Sequence, residues 1–249
     1  MPSWEIILLF FMVAALYSSV GFGGGSSYLA FLALFGVNYL IVRSTALLCN
    51  IVVVTGGVYI FYKNGHLKLR QILPLTLASV PMAFLGGYLP LREHTFFLLL
   101  GSTLAIAAFF TWFQPQAKQR PGWLDEQWKN TFPMAAGGGI GLLSGMVGIG
   151  GGIFLAPLLY LTRWDLPKTI AATSSFFILV NSIAGLGGQM VKPEFQMDWK
   201  FSLPLLVSVF LGGQLGSRMG AVRLPQVWVR RATALLIVYV GIRILRDNF

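Results

Sequence analysis

The sequence predicts an all-α polytopic membrane protein built from two homologous repeats. Three observations carry this reading: a composition poor in charge, apolar blocks long enough to cross a bilayer, and a glycine cluster that occurs twice. Of 249 residues, 56% are hydrophobic and 10% charged, whereas soluble domains carry about 25% charged residues. Mean hydropathy is +0.73, which leaves too little polar surface for a water-soluble globule. Uncharged blocks cover Ile6–Val42, Ser44–Tyr62, Gln71–Leu91, Thr95–Ala117, Asn130–Thr162, Thr169–Val191 and Phe201–Ser217. A weaker stretch, Leu224–Leu245, is broken by Arg230, Arg231 and Arg243. A spanning helix needs about 20 residues to cross roughly 30 Å of hydrocarbon, and most blocks meet that.

The net charge of +10 does not describe a nucleic-acid surface. The cations sit in the short gaps between apolar blocks, as the positive-inside rule places them. The seven tryptophans (Trp4, Trp112, Trp123, Trp128, Trp164, Trp199 and Trp228) fall near block ends or in connections, which fits an interfacial aromatic belt. Cys49 is the single cysteine, so no disulfide forms within the chain. No basic region precedes the first apolar run, so the start does not resemble a cleaved signal peptide.

Internal similarity is the most informative pattern. Gly21-Phe-Gly-Gly-Gly25 recurs as Gly148-Ile-Gly-Gly-Gly152, an offset of 127. Thr45 pairs with Thr173 at 128, and Pro74 with Pro204 and Gly86 with Gly216 at 130. Ordered matches with a slowly drifting offset predict a duplication: residues 1–115 and 130–249, joined by a connection over 116–129.

The first block of each half is too long for one simple helix. Glu5–Val37 would extend about 50 Å at 1.5 Å per residue, with its glycines in the middle. Glycine costs about 1 kcal/mol against alanine in a helix, so three in a row mark a break between two half-helices. If each broken block spans the membrane, the halves are parallel. If each is a re-entrant hairpin followed by three transmembrane helices, the halves are inverted. Eight crossings divide the Lys and Arg residues ten to eight. Two hairpins divide them twelve to six, with Lys63, Lys68, Arg70, Lys118, Arg120, Lys129, Arg163, Lys168, Arg218, Arg223, Arg230 and Arg231 on one side. The larger asymmetry favours inverted repeats with both termini outside.

A helix broken inside the bilayer frees backbone N–H groups, which are tolerated where they line a protein cavity. Together with the positive end of the helix dipole they make an anion site, and two facing breaks near the midplane suit a secondary transporter. The candidate substrate-binding residues are therefore Gly23, Gly24 and Gly25 with Gly150, Gly151 and Gly152. Ser26 and Ser27 could add hydroxyls to the first break; Ile153 and Phe154 stand at the matching places of the second. Thr45, Thr173 and Ser174 open the next crossing of each half. Asn50 and Asn181 lie deeper, where an unpartnered amide is costly; each either braces the broken backbone or lines the pathway. Gln189 and Gln214 read as structural. Arg43 and Lys168 stand before these crossings, and interfacial snorkelling is the expected role for both, as for Arg218. Gly-xxx-Gly spacings such as Gly137–Gly141 predict close helix packing.

All eight acidic residues lie at block ends or in loops, so no carboxylate relay of the kind used by proton pumps stands within a block. No metal cluster, nucleophile–base pair, dinucleotide fingerprint or phosphate loop is evident, so neither catalysis nor a cofactor or metal is predicted.

The clusters Gly21–Gly25 and Gly148–Gly152, with Pro157 following and Thr173-Ser174 ahead of Asn181-Ser-Ile-Ala-Gly185, resemble the TauE/SafE family of sulfite exporters. The likeness runs the length of the chain, including the duplication. It implies a multi-pass inner-membrane carrier for a small sulfur anion such as sulfite, a sulfonate or sulfoacetate. The first half departs from the second in having Ala30 where Pro157 stands, and Ser26-Ser27 where apolar residues stand. The expected mechanism is alternating access between the repeats; a channel-like facilitator is the alternative, and a membrane-embedded enzyme or assembly factor a third reading. The expected partners are the anion and the lipid bilayer, not nucleic acid. Homo-oligomerisation and the coupling ion, Na⁺ or H⁺, stay open.

Overall fold

A computed structural model describes residues 2–19, 22–112, 128–162, 164–219 and 226–248. Gly21, Arg163, Arg223 and the connection as far as residue 127, with Lys118 and Arg120, lie outside the described residues. Among those described, all regular structure is helical: α1 (Trp4–Ser18), α2 (Gly25–Leu34), α3 (Tyr39–Lys63), α4 (Leu69–Tyr88), α5 (Glu93–Trp112), α6 (Trp128–Val147), α7 (Gly152–Leu161), α8 (Pro167–Met190), α9 (Trp199–Met219) and α10 (Gln226–Asn248). Helices α3, α4, α5 and α8 are long and apolar enough to cross a membrane. With ten residues each, α2 and α7 reach about 15 Å, half a hydrocarbon core.

Both long blocks break at their glycines. Gly24 and Gly151 precede α2 and α7 with φ of 83° and 81°, a left-handed conformation that favours glycine. The chain then turns back on itself. Phe10 and Tyr28 stack with centroids 4.6 Å apart, although 18 positions along one helix would separate them by about 27 Å. The Tyr17 hydroxyl lies 2.7 Å from Ser27 Oγ. At the second break, Gly151 packs on Ile140 and Ser144 of α6.

Of the four candidate spans, α3 and α8 are the most enclosed. Unbroken buried runs, Val42–Leu47 and Thr169–Ser175, exceed one turn of 3.6 residues, so both helices are covered all round there. They cross antiparallel. Gly185, near the end of α8, faces Leu47, near the start of α3, and Ser44 Oγ donates to the Gln196 carbonyl at 3.0 Å.

Two further pairs pack through small residues. Gly137, Gly141 and Gly145 of α6 face the carbonyls of Leu75, Ser79 and Ala83, so α6 runs parallel to α4. Gly212 and Gly216 of α9 face the carbonyls of Phe11 and Ala15, and Ser208 Oγ donates to Ile7 O at 2.6 Å. Thus α9 runs parallel to α1. A methyl group on any of these glycines would overlap backbone, which is the close approach small residues permit in membranes. One contact occurs twice: Gly86 faces the Leu142 carbonyl, and Gly216 faces the Ala15 carbonyl. Helices α5 and α10 pair antiparallel, Gly101 against Leu245 and Gly241 against Ala105. Lys68, before α4, bridges to Asp165, before α8, at 2.7 Å.

Candidate functional site

The site grows from the two breaks. Within an α-helix the first N–H groups have no carbonyl one turn earlier. In α2 the earliest such bond runs from Ser27 N to Gly24 O at 3.0 Å, and in α7 from Phe154 N to Gly151 O at 3.2 Å. The amides of Gly25 and Ser26, and of Gly152 and Ile153, precede these. Each helix therefore presents its partially positive end at the break.

One side chain touches both breaks. Asn50, fully buried midway along α3, donates from Nδ2 to the Ile149 carbonyl at 2.9 Å. A methyl on Gly23 would stand 2.6 Å from Asn50 Oδ1, and one on Gly150 would stand 2.7 Å from Asn50 Nδ2. Gly25 is equally tight, against both Asn50 and the Ile149 carbonyl. Glycine is thus required at these points by close approach. Asn50 Oδ1 is buried without a hydrogen-bond partner. Ser182 Oγ, also unpartnered, comes 2.8 Å from the methyl position on Gly150.

The other sequence candidates divide. Gly24 faces Val13 and Tyr28, Gly151 faces Phe177, Ile140 and Ser144, and Gly152 faces Ile178, so these three pack against the hairpins and α8. Ser27 Oγ pairs with Tyr17, and Thr45 Oγ1 pairs with Ser202 of α9 at 2.8 Å. Their hydroxyls serve helix contacts. Ser26 is buried at the start of α2. On α8, Thr173 Oγ1 and Ser174 Oγ are buried without partners. Asn181 donates to Phe177 O at 2.8 Å, and its Oδ1 is likewise unpartnered. The structure therefore gathers Gly23, Gly25, Asn50 and Gly150 in one place, with Ser182.

Arg43 corrects the sequence reading. It does not snorkel: the side chain is 1% exposed, and Nη2 donates to Gly145 O at 3.3 Å. The cause is the helix start. The Asn38 side chain accepts from Leu40 N at 2.9 Å, an N-cap that puts Arg43 more than a turn inside α3. Asn38 was the available signal. Lys168, by contrast, is exposed. Ser144 and Ser182 are not among the sequence candidates, because single serines on apolar helices carry no periodic signal, although Ser182 falls inside the Asn181–Gly185 motif. Ser144 Oγ, too, is buried without a partner.

Comparison with known proteins identifies the family. The sequence model of the family described as "Sulfite exporter TauE/SafE" matches residues 6–244. The "Probable membrane transporter protein y4hK" of Sinorhizobium fredii (strain NBRC 101917 / NGR234) is 32% identical over 248 residues, 96% of this chain and 97% of that protein. The "Probable membrane transporter protein YunE" of Bacillus subtilis (strain 168) is 35% identical over 78 residues, 31% of this chain and 28% of that protein. No solved structure matches. With the family model covering nearly the whole chain and a full-length relative beside it, this multi-pass membrane protein belongs to the TauE/SafE family of membrane transporters.

Proposed function

We propose that the chain is a secondary transporter that moves a small sulfur-containing anion, such as sulfite, a sulfonate or sulfoacetate, across the inner membrane by alternating access between two inverted repeats. The repeats are residues 1–115 and 130–249, joined over 116–129. The observation that carries the reading is Asn50, which brings the two glycine breaks together with unpartnered polar groups and two positive helix ends around it. The sulfur anion is suggested by the family's description.

Two contacts support inversion. The Lys68–Asp165 bridge sets the α3–α4 connection beside the α7–α8 connection. The Ser44–Gln196 bond sets the start of α3 beside the α8–α9 connection. Eight crossings would put the members of each pair on opposite faces, whereas two hairpins put them together. Repetition of the Gly86–Leu142 contact as Gly216–Ala15 supports the duplication.

The test is sulfite flux into proteoliposomes, with and without sulfite on the far side. A carrier gives saturable uptake that is accelerated from the trans side, and Gly151→Val abolishes it while the protein remains inserted. Non-saturable flux without trans acceleration would replace the carrier by a channel-like facilitator. Normal flux through Gly151→Val would remove the breaks from the mechanism.

A further inference from the structure

Arg43 is the fifth residue of α3 and is buried. A guanidinium has five N–H donors, yet among the described residues it makes one hydrogen bond, to Gly145 O, and its buried Nε has no partner. Gly145 lies in the last turn of α6, so the group meets that helix's negative end, worth about half an elementary charge. Among the described residues no carboxylate pairs with Arg43, and Asp165 is taken by Lys68.

A second cation reaches the same corner, because a methyl on Gly145 would stand 2.8 Å from Gly87 N, two residues before Leu89. Lys192, in the connection after α8, donates from Nζ to the Leu89 carbonyl beyond α4. Its amine is pushed down to about 8 by burial first, and then by the charge of Arg43, with Glu194 opposing. Glu194 itself is exposed. Two partly desolvated cations without an intervening carboxylate are costly to keep. An anionic ligand placed between them would offset that cost.

We propose that Arg43 and Lys192 form a docking site for a small oxyanion, entered from the face where α3 begins and separate from the site at Asn50. This deepens the anion-carrier reading and rests on it for any role in transport. The second break lies directly against this turn, because a methyl on Gly148 would stand 3.2 Å from the Arg43 carbonyl. The docking site is thus one step from the broken backbone. It belongs to one face of the protein. At the offset of 128, Ala171 stands in the place of Arg43 and Asn64 in that of Lys192.

The experiment is thermal unfolding of the purified full chain, followed by tryptophan fluorescence. Sulfite or sulfate is titrated against chloride at constant ionic strength. An anion that binds the folded state raises the midpoint with the logarithm of its concentration once that exceeds Kd. Wild-type protein shifts. Arg43→Gln, whose amide can still reach Gly145 O, weakens the apparent Kd about 10- to 100-fold, and Arg43→Lys restores part of it. Lys192→Gln, in a half-exposed connection, weakens binding about threefold and keeps the test independent of Arg43's place in the helix packing. Wild-type binding by Arg43→Gln, or no shift in wild type with either anion, overturns the proposal. So does equal loss of ligand-free stability by both Arg43 variants with unchanged binding by Lys192→Gln, which would make Arg43 a clamp on α6 only. An Arg43-dependent shift in a protein that carries no sulfite across a membrane would leave the docking site standing and sink the transport reading instead.

Discussion

Replacing Gly23 by alanine should destabilise the protein through one amide, and deleting that amide should cancel the damage. Gly23 is not among the glycines with left-handed φ, so alanine meets no backbone strain there. Its methyl would stand 2.6 Å from Asn50 Oδ1 and 3.0 Å from Val54 Cγ1. Val54 can give the few tenths of an ångström needed. Asn50 cannot, because Nδ2 is tied to Ile149 O at 2.9 Å; yielding breaks that bond and strands both ends. Each stranded buried group costs about 1–3 kcal/mol, and alanine recovers about 0.4–1 kcal/mol through the unfolded chain. The expected net loss is about 2–4 kcal/mol. Asn50→Ala strands the Ile149 carbonyl but also removes the unpartnered Oδ1, so it should cost about 1–3 kcal/mol.

In the double variant the methyl occupies space the amide has left, so its cost should match that of Asn50→Ala alone. The coupling energy is then about 2–4 kcal/mol, where independent sites would add. Cys49 supplies the assay: it is the single cysteine and is buried, so a thiol-reactive fluorophore labels the chain as it unfolds. At about 2–4 °C per kcal/mol for a chain of this size, Gly23→Ala should lower the midpoint by roughly 5–15 °C, and Asn50→Ala should abolish that difference. Additive losses would refute the reasoning, because they would mean that Gly23 is needed for something other than the approach of Asn50.

Three further outcomes are expected from the same preparation. Gly145→Ala should loosen the α4–α6 pair, since its methyl overlaps the Ala83 carbonyl, whereas Gly139→Ala, with nothing within 4 Å, should be neutral or gain up to about 1 kcal/mol; equal effects in thermal unfolding would discredit the packing. Lys192 titrates near 8 in the folded protein against an ordinary 10.5, so between those values the unfolded chain binds the extra proton and stability rises with pH. Lys192→Met should flatten that rise, and an unchanged slope would show that another group causes it. Ser182→Ala should leave the midpoint within about 1 kcal/mol, because its hydroxyl has no protein partner to lose, while raising the KM for sulfite flux; an unchanged KM would remove Ser182 from the pathway.

The breaks were legible because two local signals coincide, glycines in series and blocks longer than a membrane requires. The helix start is signalled just as locally, by Asn38 capping α3, and it is this cap, not the charge pattern, that puts Arg43 inside α3 instead of at the interface. What could not be read was which helix each polar group meets. Thr45 and Thr173 stand 128 residues apart in similar sequence surroundings, yet Thr45 bonds Ser202 while Thr173 has no partner. Likewise Ser27 is taken by Tyr17, whereas Ser182, inside the Asn181–Gly185 motif but not among the candidate site residues, stands beside Gly150. Periodicity says which face of a helix is apolar; it carries nothing about the neighbour that crosses that face.

The bond from Asn50 to Ile149 joins α3 of the first half to the break of the second, and it has no counterpart, because Ile178 stands 128 residues beyond Asn50. If the halves rock against one another, this bond lies across the moving boundary and holds in one facing state only. A buried hydrogen bond is worth about 1 kcal/mol net, a bias of about fivefold between the two states. Asn50→Ala should therefore shift the population, and apparent affinity scales with the fraction of protein in the competent state. Sulfite KM measured from the two faces, in right-side-out and inverted vesicles, should move in opposite directions, one falling as the other rises. A loss of affinity from both faces would place Asn50 on the anion itself and remove it from the boundary.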